Sequence, residues 1–242
     1  CIVTGTLPPP SSGVSVIPGE LRLQRNASLT SLKGLEAVEQ VGGDVFISSN
    51  DALTSLDALD RLTTVAGDLE ISDNDGLLVL GTFPDLESVG GRLIIQRNVG
   101  LLEIVGFDRL QDSGEGLEIV TQSTLEVIDG FNRLKVLPEG LDLSDLPALR
   151  VFRGFNQVTE LVGSFTVEEN DALTELDAFA SLRAVYGDLK ILNNPALETL
   201  QGFDRLVEVT LDLTIETNAV LATIAEMPAL STVGLDLTLS DN

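Results

Sequence analysis

Three aspartates, Asp188, Asp212 and Asp236, stand at a constant interval of 24 residues, and Asp44 and Asp68 repeat the spacing earlier in the chain. If consecutive repeats lie one above another at the spacing of neighbouring strands, about 4.8 Å, such carboxylates repel by roughly 0.9 kcal/mol per pair even in water. A hard cation with oxygen ligands, Ca²⁺ first among them, would relieve that repulsion, and Asp188, Asp212 and Asp236 are the candidate metal ligands. The competing reading is that the side chains splay into solvent. Other chemistry is scarce. The chain has no histidine, which removes Ser-His-Asp triads, Cys-His pairs and His-based zinc or iron centres. Cys1 is the only cysteine, so no intrachain disulfide forms. No glycine-rich phosphate loop with its lysine is present, and Gly42-Gly43 reads as a turn. With 38 acidic residues, close carboxylate pairs of the glycosidase type arise by number alone and carry little information. A polysaccharide-active β-helix is the enzymatic alternative, yet sugar platforms use Trp or Tyr faces and only Tyr186 is available. The expectation is a protein without catalytic activity or resident cofactor.

The elements that would position these aspartates follow from the same interval. Leu21, Val45, Leu69, Leu93, Leu117, Leu141, Phe165, Leu189, Leu213 and Leu237 recur every 24 residues, each followed two places later by another aliphatic. Alternation with period two marks an extended strand with one face inward. After each strand comes a polar corner, at Asn26, Asn50, Asn74, Asn98, Asn170, Asn194, Asn218 and Asn242. An amide repeated at one corner of a stack can bond both the turn backbone and its own copies above and below. Two apolar residues three apart then follow, such as Leu53 and Leu56. Next is a column that changes from Leu35 and Leu59 to Phe83, Phe107, Phe131, Phe155, Phe179 and Phe203. Pairs such as Leu62 and Val65 and a Gly-Gly turn close the unit. A fixed period of this size belongs to a solenoid, in which each unit buries its apolar side only by stacking on the next. No segment keeps helical spacing beyond about two turns, so an all-β parallel β-helix is expected rather than an α/β horseshoe. Residues 14–242 read as one leucine-rich solenoid domain of about ten coils, with nine full repeats from residue 19 and a partial tenth. At about 4.8 Å per coil the rod is around 45 Å long.

The string G-D-L-x-I-x-x-N-x-x-L-x-x-L-x-G-F-x-x-L-x-x-V at Gly187 to Val209 resembles the repeat of receptor L domains, the leucine-rich β-helical lobes of growth-factor-receptor ectodomains. The likeness extends over residues 14–242. It implies an extracytoplasmic setting and a binding or scaffolding role, and it supplies no catalytic residues. The disulfides of animal receptors are missing, which points toward a bacterial or archaeal relative.

The opening residues carry a second resemblance. Cys1 stands first and runs into Pro8, Pro9, Pro10, Ser11, Ser12 and Gly13, similar to the start of a mature bacterial lipoprotein. Residues 1–13 then read as a flexible tether and Cys1 as the site of a lipid anchor, on the cell surface or an outer membrane. No apolar run approaches the roughly 20 residues needed to span a bilayer. The net charge of −24 repels phosphate backbones and anionic lipid, so nucleic acid is excluded as a partner and membrane contact is confined to that anchor.

On the outward strand positions, Phe46 and Ile94, with Val120 and Leu192, are the apolar residues a protein or cell-surface ligand would touch. Arg61, Arg109, Arg133 and Arg205 repeat at one corner and read as solvated coil-to-coil ion pairs. Units five and six depart from the pattern: the Asn corner becomes Gln122 and then Leu146, Pro147 follows, and Ser113 replaces Val or Leu. Bulging there could shape a binding spot, and ordinary drift between repeats would look the same. Two functions remain, a surface recognition or adhesion module and a subunit that self-associates through its ends into an extracellular filament.

Overall fold

Alternation at Leu21–Gln24 buries Leu21 and Leu23 and leaves Arg22 and Gln24 half-buried, and the same rule governs the strand one repeat later. The computed structural model of the chain describes residues 13–81, 83–224 and 227–242. Stacking these strands in parallel, 24 residues apart, produces an all-β solenoid: Leu21 faces Val45, Val45 faces Leu69 and Leu69 faces Leu93. Ten strands lie on this first face, from Leu21–Gln24 to Leu237–Ser240, separated by nine turns of the chain. A second face is built from two-residue strands such as Gln40–Val41 and Thr64–Val65. The third, from Val79–Leu80 to Thr223–Ile224, is one continuous seven-stranded sheet. The only helical element among the described residues is a 3₁₀ turn at Asp57–Leu59.

The interior is aliphatic with a column of rings. Phe83, Phe107, Phe131 and Phe155 stack with centroids 5.4, 5.1 and 5.0 Å apart. The asparagine corner forms the ladder its spacing suggests. Asn50 Nδ2 donates to Asn74 Oδ1 at 3.1 Å and to the Leu23 carbonyl of the preceding coil at 2.8 Å. Asn170, Asn194 and Asn218 do the same farther along, each donating to the next asparagine and back to a strand carbonyl. These bonds satisfy amides that are buried outright.

Left-handed backbone falls at glycines such as Gly140 and Gly202 and also at many residues that are not glycine. The residue before each ladder position, from Arg25 to Asp241, has φ between 51 and 59°, although none of the ten is glycine. Such a conformation costs roughly 1–2 kcal/mol for an L-residue, and the ladder bonds offset it. The Gly-Gly turns serve close approach instead: a Cβ on Gly90 would strike the Ala66 carbonyl oxygen.

Ser113 stands in the column that Val65, Val89, Leu137 and Leu161 fill, and its buried Oγ has no hydrogen-bond partner among the protein atoms. Ser113→Val removes a desolvated hydroxyl and adds buried methyl surface, so it is expected to stabilise the chain by about 1–2 kcal/mol. Calorimetry should register a higher Tm, and an unchanged or lower one contradicts this reading of the column.

Candidate functional site

The aspartate column is real, and its geometry is a ladder. Position 44 of each coil lies in the turn before the first-face strand, where the side chain reaches toward the next coil. Asp44 Oδ1 accepts the Asp68 N–H at 3.0 Å, and Asp68 Oδ1 accepts the Arg92 N–H at 2.8 Å. Ser164 Oγ accepts the Asp188 N–H, Asp188 Oδ1 that of Asp212 and Asp212 Oδ1 that of Asp236, at 3.0, 3.1 and 2.9 Å. One oxygen each of Asp44, Asp68, Asp188 and Asp212 is thus already bonded to backbone. The Lys190 ammonium donates to Asp188 Oδ2 at 2.7 Å. That bond, helped by the Asp212 amide, holds the Asp188 carboxyl below the usual carboxylate range against a smaller desolvation effect. Among the described residues no group of three acids is placed to hold a metal ion. Backbone donors therefore answer the repulsion that made calcium attractive, and millimolar Ca²⁺ or chelator is expected to leave Tm unchanged. A rise of several degrees with Ca²⁺ would support Asp188, Asp212 and Asp236 as ligands.

The four apolar residues assigned to a contact face are less available than their alternation suggests. Phe46, Ile94, Val120 and Leu192 are all half-buried. Phe46 lies under the Arg22 guanidinium, whose carbon sits 4.2 Å from the ring centroid. The four do not share a sheet either, since Leu192 belongs to the strand Leu189–Leu192 of a separate five-stranded sheet. Of the repeated arginines, Arg61 pairs with Glu39 and Arg109 with Asp85, both exposed and reaching back one coil rather than to the adjacent aspartate. Such pairs contribute a few tenths of a kcal/mol. Cys1 and all but Gly13 of the tether lie outside the described residues.

A more exposed apolar surface lies elsewhere, on the outward side of the third face. Leu78, Val79, Leu102 and Val105 are 54, 44, 38 and 36% exposed. They are contiguous: the Leu102 N–H donates to the Leu78 carbonyl at 2.8 Å, and the methyls of Val79 and Val105 flank Gly81. Glu103, paired in register with Val79, lies at the rim of the patch, as does Glu126, whose N–H donates to the Leu102 carbonyl and whose carboxylate pairs with Arg150. The strand rule applied to the first face missed it. The signal was available in the repeat, because the Leu78 column carries Thr54, Glu126, Arg150 and Thr174 in other coils.

Together these features define an acidic parallel β-solenoid of 24-residue coils with an exposed apolar patch on its third face. Comparison of the chain with protein-family models, with curated proteins and with solved structures finds no match in any of the three.

Proposed function

We propose that the chain is a non-enzymatic recognition or scaffolding solenoid, of receptor L domain-like leucine-rich type, that docks a protein partner outside the cell or at its surface. The observation that carries this reading is the contiguous patch of Leu78, Val79, Leu102 and Val105, exposed on a chain of net charge −24. Large apolar side chains that gather at one place on an acidic surface mark a contact site better than scattered ones do. Glu103 at its rim and the net charge of −24 favour a partner with basic residues around an apolar centre.

Crosslinking the protein to its neighbours on the cell that makes it, with identification by mass spectrometry, tests the proposal. A partner recovered with the natural chain is expected to fall roughly tenfold or more with the Leu78→Asp/Leu102→Asp variant, Tm being unchanged. Equal recovery from both proteins contradicts it.

A second reading is a subunit that assembles end to end into a filament. Sedimentation with negative-stain microscopy separates the two: fibres support the filament and short single rods the recognition module.

A further inference from the structure

The three faces do not run the length of the stack alike. The first face is two five-stranded sheets, and no ladder joins Gly116–Val120 to Gly140–Ser144. The second face divides at the same level, between Asp112–Ser113 and Val136–Leu137. We propose that this seam, between residues 111–122 and 135–146, is a joint about which the rod bends, the two half-stacks opening and unfolding as separate units.

Sequence explains why the seam is unlaced. In neighbouring coils the residue after each second-face strand donates its N–H across to the preceding coil, as Gly114 does to Val89 and Val162 to Leu137. At the seam that residue is Pro138, which has no N–H to give. The asparagine ladder stops there too. Gln122 Oε1 accepts the Asn98 N–H at 3.2 Å, but its buried Nε2 meets no protein acceptor because the next rung is Leu146. The aspartate ladder ends at Arg92, is absent at Gly116 and Gly140 and resumes at Ser164. The ion pair that crosses is Arg92 with Glu139 at 2.9 Å, exposed on both sides and therefore weak. It stands at the mouth of a cleft of about 350 Å³ lined by Gly116, Val120, Gly140 and Leu141.

The remaining side is fastened. Val127 pairs with Glu103 on one side and Val151 on the other, and the ring of Phe131 stacks on Phe107 and Phe155. Two faces unlaced and one continuous is the geometry of a hinge, with the seven-stranded sheet as its spine.

Hydrogen exchange on the full chain, read by mass spectrometry, tests the joint. Peptides covering 111–122 and 135–146 are expected to exchange roughly tenfold faster than the equivalent 63–74 and 207–218, while 127–130 and 151–154 stay protected. The Gln122→Asn/Leu146→Asn variant restores both rungs, and exchange should slow at the seam alone. Seam peptides as slow as their equivalents in the natural chain overturn the proposal. So does fast exchange that persists in the folded variant. If that variant does not fold, the comparison within the natural chain decides.

Discussion

Asn194→Ala is expected to lower stability by roughly 3–5 kcal/mol, far more than its small change in apolar surface would. Asn194 Oδ1 accepts both the N–H and the Nδ2 of Asn170, at 3.2 Å each. Its own Nδ2 donates to the carbonyls of Val167 and Leu192 and to Asn218 Oδ1. Truncation leaves the buried Asn170 N–H without its acceptor and breaks the ladder on both sides. Each buried polar group left unpaired costs about 1–3 kcal/mol, and at least two are created. The exposed-face control Asp142→Ala should stay within about 0.5 kcal/mol. Chemical denaturation measures both, and a loss below about 1 kcal/mol for Asn194→Ala would show that the ladder does not stabilise the corner.

Phe155→Ala is the second large effect, with an expected cost of about 3–5 kcal/mol. The Phe155 ring sits 5.0 Å from that of Phe131 and 5.4 Å from both Phe152 and Phe179, and all four are fully buried. The lost ring leaves a void walled by three others that cannot all relax into it. Phe155 holds a φ of 56°, which Ala finds as unfavourable as Phe does, so the loss reports packing rather than backbone strain. Phe155→Leu should cost less than half as much, since Leu35 and Leu59 fill this column in the first two coils. Equal losses for the two variants would contradict the packing account.

How much of this was legible in the sequence follows from what repeats and what does not. The core positions recur without a slip, so Leu69 over Leu93 and the asparagine ladder could be read before any coordinates. The left-handed turns could not. Arg25, Ser49 and Glu169 hold the same φ although they share no chemistry, because the ladder bonds beside them fix the backbone. Phe83, Phe107, Phe131, Phe155 and Phe179 likewise sit at φ of 56–67° where a β-rich pattern gives no hint of it.

The surface was harder still. Alternation told which side of a strand faces out, but not that Arg22 would cover Phe46. The exposed patch needed a comparison of one column across coils, where Leu78 and Leu102 stand out from Thr54 and Glu126. Gln122, Leu146 and Ser113 announced an irregularity. That it unlaces two faces depends also on Pro138, Gly116 and Gly140, whose effect appears only once neighbouring coils are set in register.

Spin-label distances between outward strand positions test the stacked coil most directly, because in a solenoid distance grows by only one strand spacing for every 24 residues of chain. In a Cys1→Ser background, labels at Glu70→Cys and Lys190→Cys lie five coils apart, and at Glu70→Cys and Thr238→Cys seven. The stack predicts mean separations near 24 and 34 Å, at about 4.8 Å per coil. Distances that fail to differ by about 10 Å, or that exceed this range several-fold, would contradict it.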